Sequence, residues 1–250
     1  MTNNRILYGL VGYPLGHSFS KRYFTEKFAT AGIDAEYLNF ETESIDRVRD
    51  IIEQYPGLKG FNVTIPHKQD IIPLLDTVSK EAEEIGAVNC VKIEHTGNTV
   101  SLTGYNTDAY GFKKSLLQFI PAEITNALIL GNGGAAKAVK YVLLSLGMNV
   151  LTVSRTPHRE KEIGYTAIAS LLNDYKLIVN TTPLGTWPNT ENCPDIPYDL
   201  LTLEHYLFDL VYNPEITEYM KRGAAHRAHT QNGLEMLIGQ AEKAWDIWTA

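Results

Sequence analysis

Positive charge is in short supply: 22 Lys and Arg face 29 Asp and Glu over 250 residues, a net charge of −7. That balance argues against nucleic acid or an anionic membrane surface as the main partner. Cysteine is scarcer still. Cys90 and Cys193 are the 2 in the chain, too few for a disulfide framework, and neither has a second Cys or a His at zinc-site spacing. Both read as free thiols of a reducing compartment. His226 and His229 stand three apart with no third ligand at useful spacing, so no metal is expected. No apolar run approaches the roughly 18 residues of a membrane span. The first residues show no basic segment followed by an apolar stretch and a small-residue cleavage site. The expected location is therefore the cytoplasm, with no membrane partner. Repeats and low-complexity segments are also missing. With 44% hydrophobic and 20% charged residues, the composition is that of an ordinary globular protein.

Short apolar runs alternate with longer amphipathic stretches, the pattern of βαβ units and a largely parallel sheet. Strands are expected at 6–12, 35–41, 59–65 and 88–94, with helices at 20–31, 44–55 and 78–85. Glu94-His-Thr-Gly-Asn98 is a turn signal between two strand-like runs and predicts a hairpin. A helix at 108–119 then leads to a second, sharper pattern. It comprises strands at 127–130, 149–154, 177–180 and 206–210, and helices at 135–146, near 167–172, and at 215–222 and 233–248. Along the last helix, Leu234, Leu237, Ile238, Ala241, Ala244 and Trp245 form one apolar stripe.

Gly131-Asn-Gly-Gly-Ala-Ala136 fits the pattern G-x-G-x-x-G/A between a strand and a helix, the setting in which this string signals a dinucleotide site rather than a structural turn. Gly131 permits the tight turn, Gly133 lets backbone approach a pyrophosphate, and small Ala136 packs helix on strand. The phosphates would meet the free N–H groups of the helix start. After the next strand, where an NAD site usually presents a carboxylate, the chain reads Ser154-Arg155-Thr156, with Arg159 close behind. A guanidinium there suits the 2′-phosphate of NADP.

Three further loops are polar where each follows an expected strand: Gly12-Tyr-Pro-Leu-Gly-His-Ser-Phe-Ser20, Phe61-Asn-Val-Thr-Ile-Pro-His-Lys68 and Gly104-Tyr-Asn-Thr-Asp108. Ligands of open α/β sheets sit beyond the carboxyl ends of strands. Hydroxyls, amides and a Lys/Asp pair suit a small polyhydroxylated acid and a proton transfer. Taken alone, Lys68 reads as a surface lysine and Asp108 as a helix N-cap.

With Gly86-Ala-Val-Asn-Cys90, Asn180-Thr-Thr-Pro-Leu-Gly185, Asp209-Leu-Val-Tyr-Asn-Pro214 and Gln231-Asn-Gly-Leu-Glu-Met-Leu-Ile-Gly-Gln240, these segments resemble the shikimate dehydrogenase family over nearly the whole chain. The resemblance implies an α/β enzyme of two domains. A substrate domain (1–107 and 234–250) would be completed by the returning last helix, beside a Rossmann-like parallel-sheet NADP-binding domain (108–233). It implies NADPH-dependent reduction of 3-dehydroshikimate to shikimate, in aromatic amino-acid biosynthesis. Lys68 and Asp108 would be catalytic. Ser18, Ser20, Asn62, Thr64, Asn89, Tyr212 and Gln240 would hold the substrate. Gly131, Asn132, Gly133, Gly134 and Ala135 would hold the pyrophosphate, Ser154, Arg155, Thr156 and Arg159 the 2′-phosphate, and Leu210 and Gly233 the nicotinamide. The alternatives are a quinate/shikimate dehydrogenase preferring NAD, or a non-catalytic ligand sensor. A monomer or homodimer is expected. The chain departs from the family pattern at Lys21-Arg-Tyr-Phe-Thr25, at Asn132 and at Ser154. His17 and His67 read as loop and packing residues. The proline-rich 183–197 stretch reads as a long loop that closes over the nicotinamide or moves freely.

Overall fold

The computed structural model describes residues 5–16, 18–97, 99–158 and 160–250. By its internal contacts the chain divides into two units. One runs up to Thr107 and takes in Ala241–Ala250; the other is Asp108–Gln240. The first half of the last helix thus falls in the second unit, where the expected boundaries gave the whole helix to the first.

The first unit contains β1 (Ile6–Gly12), α1 (Phe19–Ala31), β2 (Ala35–Glu41), α2 (Val48–Gln54), β3 (Leu58–Val63), β4 (Thr77–Val78), α3 (Lys80–Ile85), β5 (Cys90–Thr96) and β6 (Thr99–Tyr105). The sheet order is β2-β1-β3-β5-β6-β4. β1 is parallel to β2 and β3, but β5 is antiparallel to both neighbours. The sheet is therefore mixed, with three of its five pairings parallel. Val88 N–H donates to Lys68 O at 2.7 Å, so the chain re-enters at the end where β3 stops. A parallel strand would need a crossover back along the sheet.

α1 is set by its ends. The Ser18 side chain accepts from Lys21 N–H, and Gly32 closes the helix at φ 65°. Phe24 and Phe28, one turn apart, bury against Tyr8 and Tyr37. Trp248 completes this layer: it stacks on Tyr8, and its indole N–H donates to Val91 O at 3.0 Å. Gly60 lies beneath it, where a Cβ would come within 2.3 Å of the indole, so only glycine fits. The other face is filled by Val11, Leu58, Phe61 and Val91 with neighbours from α2 and α3.

α4 (Thr107–Phe119) leads into the second unit, which continues with β7 (Asn126–Leu130), α5 (Gly134–Ser145), β8 (Asn149–Val153), β9 (Glu162–Ile163), β10 (Leu177–Asn180), β11 (Tyr206–Asp209), α6 (Glu218–Ala225), β12 (His229–Gln231) and α7 (Leu234–Thr249). All pairings in the order β12-β11-β10-β7-β8-β9 are parallel. Counted within the unit, this is strand order 3-2-1-4-5-6, which reverses between β7 and β10 and leaves a crevice at their carboxyl ends. Residues 127–130 and 177–179 are fully buried, as strands covered on both faces must be.

The helix expected near 167–172 is a 3-10 segment, Tyr165–Ser170, with Ile168 its one buried residue. Too little apolar surface is available there to stabilise further turns. α6 starts later than 215 because Thr217 caps it, accepting from Met220 N–H. His226 ends α6 while His229 lies in β12 and stacks on Tyr206 at 4.5 Å, so the two share no helix face.

Candidate active site

In the first unit, the carboxyl ends of β1, β3 and β6 meet the start of β5. Main-chain bonds from Thr42 N to Gly12 O (3.0 Å), Thr64 N to Val11 O (2.9 Å), Val63 N to Asn89 O (2.9 Å) and Asn89 N to Tyr105 O (3.0 Å) fix the loops there. Lys68 stands half-buried in the turn after β3, its carbonyl held by Val88. Next to it, buried His67 bonds Thr42 O through Nε2 at 2.8 Å, which makes it a brace and not a catalyst.

Behind these loops runs a buried polar chain. The Tyr37 hydroxyl donates to Asn62 Oδ1 at 2.7 Å, and Asn62 Nδ2 donates to Asn89 O at 3.2 Å. Burial pushes the Tyr37 phenol well above its usual range, and Ser20 bonds to the same hydroxyl. Asn89 Oδ1 accepts from Thr107 N–H at 2.6 Å, and its Nδ2 donates to Thr107 Oγ1 at 3.0 Å. Ser20, Asn62 and Asn89 are thus joined, with Tyr37 as a link that no motif announced. Ser18 serves as the α1 cap. Thr64 is partly exposed.

Asp108 is buried in the first turn of α4. Because the helix already starts at Thr107, Asp108 is not its N-cap; the carboxylate instead complements the positive end of the helix dipole. Gln240 is buried, and its Nε2 donates to Leu237 O at 3.0 Å within α7. Tyr212 is half-buried in the loop after β11.

The second unit holds a cleft of about 780 Å³ at the carboxyl ends of β7, β8 and β10. Gly131, Asn132 and Gly133 form one wall, and Ser154 with Arg155 forms another. Gly131 has φ +102°, and a Cβ on it would come within 2.9 Å of Thr181 Oγ1. Gly133 caps α5, whose first turn carries no acidic side chain. The Ser154 hydroxyl is buried with no hydrogen-bond partner among the described residues. Arg155 is exposed and makes no salt bridge among the described residues. An unpartnered hydroxyl beside an open guanidinium, facing a glycine cradle, fits a phosphorylated dinucleotide.

Comparison with known proteins agrees. A chain from Clostridium beijerinckii named shikimate dehydrogenase (NADP(+)) is 39% identical over 253 residues, covering 96% of this chain and 91% of its own. The chain belongs to the shikimate dehydrogenase family. Its residues 10–91 match the family's substrate binding domain. The crystal structure of the shikimate dehydrogenase of Aquifex aeolicus superposes with a TM-score of 0.86 at 35% identity, covering 99% of this chain and 94% of that one. The Thermus thermophilus enzyme in complex with NADP(H) and shikimate gives 0.85 at 31% identity, covering 98% and 93%.

Within this family member, Gly134, Ala135 and Thr156 flank the cleft's lining residues in sequence without joining them. Leu210 and Gly233 stand apart from that lining but against each other: a Cβ on Gly233 would come within 2.2 Å of Leu210 O. Arg159 lies outside the described residues, as does His17. Sequence reasoning missed Tyr165, Thr166, Cys193 and Asp195, which also line the cleft. They come from the 3-10 segment and the proline-rich loop, where no periodicity signals a role. That loop is bonded internally and to Asn213 O through Trp187 N–H at 3.1 Å. No group of three or more His, Cys, Asp or Glu side chains is arranged to hold a metal among the described residues. No helix among them is long and apolar enough to cross a membrane.

Proposed function

We infer that this chain is an NADP-dependent shikimate dehydrogenase, catalysing the reversible reduction of 3-dehydroshikimate to shikimate. The full-length match to curated NADP-dependent shikimate dehydrogenases carries the reading, and the cradle with the unpartnered Ser154 hydroxyl supports the cofactor. In this reading the first unit is the substrate domain and the second the NADP domain. Gly131 to Ala135 accommodate the pyrophosphate, Ser154, Arg155, Thr156 and Arg159 the 2′-phosphate, and Leu210 and Gly233 the nicotinamide end.

When bound, NADPH supplies the hydride. The protein orients the ketone and manages one proton. Ser18, Ser20, Asn62, Thr64, Asn89, Tyr212 and Gln240 hold the hydroxyls and carboxylate of the substrate. The Lys68 ammonium stabilises negative charge developing on the ketone oxygen, and the proton that makes it an alcohol comes from the Lys68/Asp108 pair. Asp108 keeps Lys68 oriented and accepts from the same hydroxyl; the two act as a coupled pair. The enzyme works in the cytoplasm as a monomer or homodimer.

Mixing the purified protein with 3-dehydroshikimate is expected to consume NADPH absorbance rapidly and NADH absorbance slowly. Binding of both ligands without oxidation would replace this reading by a ligand sensor. A second check uses the thiols. Cys193 is partly exposed in the cleft and Cys90 is buried. Saturating NADP+ is expected to slow alkylation of Cys193 about tenfold or more by occlusion, with Cys90 unreactive throughout, as read by peptide mass spectrometry. Unchanged Cys193 labelling would place the cofactor elsewhere.

A further inference from the structure

Asp209 closes β11 and is fully buried. Its Oδ1 accepts from Asn180 Nδ2 at 2.9 Å and from Val211 N–H at 3.0 Å, and its Oδ2 accepts from Thr217 Oγ1 at 2.7 Å. Each donor opens another segment. Asn180 closes β10, and its Oδ1 accepts from Thr182 N–H at 3.0 Å and Thr182 Oγ1 at 2.7 Å. Thr182 lines the cofactor cleft. Val211 passes the connection on, its carbonyl accepting from Gly233 N–H at 3.2 Å. Gly233 in turn is packed on Leu210. Thr217 is the cap of α6.

We propose that Asp209 is a positioning residue of the dehydrogenase, its carboxylate tying the loops after β10 and β11 into the geometry that receives the nicotinamide end of the cofactor. This rests on the reading of the second unit as the NADP domain. The chemistry of the donor set explains why a carboxylate stands here. Three donors converge on two oxygens, and only an ionised carboxylate accepts on both; an asparagine at this place accepts on one. Packing alone would favour a neutral residue, because a buried charge without a counter-ion is costly. The titratable groups facing Asp209 are Tyr198, from the segment before β11, and Tyr219 of α6. Burial pushes both phenols up, so neither supplies a positive charge. Burial also raises the Asp209 carboxyl to about 6, against the pull of its three donors. Protonation turns one oxygen into a donor and breaks the match to at least one of the three groups.

The test is carried out on full-length Asp209→Asn and Asp209→Ala variants. Dissociation constants for NADP+ and, separately, for shikimate are measured by fluorescence titration from pH 5 to 9, with unfolding curves alongside. NADP+ is expected to bind the alanine variant about tenfold or more weakly, and the asparagine variant less weakly than alanine, with a clearly smaller loss of shikimate affinity, transmitted through Tyr212 on the same loop. The 2′-phosphate of NADP+ itself titrates at about 6, so the readout is the difference between proteins: wild-type NADP+ affinity is expected to fall more steeply than that of Asp209→Asn as pH drops through about 6, and this excess inflection should vanish in Asp209→Asn. If the alanine variant does not fold, the pH inflection and its loss in the asparagine variant decide. Lowered melting temperatures with unchanged NADP+ affinity, or equal loss of both ligands, would reduce Asp209 to a structural residue and overturn the proposal. Failure of the wild type itself to bind NADP+ would instead overturn the NADP-domain reading, and the proposal with it.

Discussion

Lys68→Ala is expected to lower kcat by about 10³-fold or more while NADP(H) affinity stays within twofold, since a positioned acid contributes roughly 10²–10⁴ and charge stabilisation at the oxygen adds to it. At 1.4 kcal/mol per tenfold, that is about 4 kcal/mol of transition-state stabilisation. The separation of the two readouts follows from the architecture. Lys68 belongs to the turn after β3 in the first unit, whereas the described residues lining the cofactor cleft belong to the second. Removing the ammonium leaves the backbone bond from Val88 to Lys68 O untouched, so the loop should keep its place. Steady-state kinetics with 3-dehydroshikimate and a separate fluorescence titration of NADPH check this. A loss below tenfold would remove Lys68 from the chemistry, and a parallel loss of cofactor affinity would mean that the substitution perturbs more than one side chain.

The second large effect concerns cofactor choice. Arg155→Ala is expected to reduce kcat/KM for NADPH by about 10²–10⁴-fold, because a bidentate guanidinium contributes two hydrogen bonds to a charged group, each of about 1.5–3 kcal/mol. NADH lacks the phosphate and should change less than threefold. Among the described residues, Arg155 is exposed in the cleft without a carboxylate partner, beside a Ser154 hydroxyl that has no partner either. Asp195 on the same cleft places a negative charge in the neighbourhood, which makes the guanidinium more necessary for a phosphorylated ligand. Kinetics with both cofactors provide the check. Equal losses for NADPH and NADH would show that Arg155 acts on a part common to both.

Where local chemistry decides structure, the sequence was readable. β1, β2 and β10 lie where their apolar runs predicted, and Gly131 occupies the positive-φ turn that the glycine string requires. The polar loops 12–20 and 61–68 do come together at one end of the first sheet, in agreement with the rule for open α/β sheets. What stayed hidden is set at long range. β9 and β12 are two and three residues long and have no period to detect. The antiparallel course of β5 follows from where Val88 meets Lys68, which no window of sequence contains. Tyr37 looks like a buried strand residue until its hydroxyl is seen on Asn62. Asp209 likewise reads as one more residue of the strand expected at 206–210 until its three donors are assembled.

The order of synthesis gives the Trp248 contact a further meaning. The first unit joins the residues up to Thr107 with Ala241–Ala250, whereas the second, Asp108–Gln240, is one uninterrupted stretch. On the ribosome, the part made first therefore waits longest. Its sheet emerges with a bare slot over Gly60 and an unmet carbonyl at Val91, both of which Trp248 fills only after the whole second unit has been made. At about 5–20 residues per second that wait is on the order of ten seconds. Meanwhile the second unit has all of its own chain in hand and can fold around its parallel sheet.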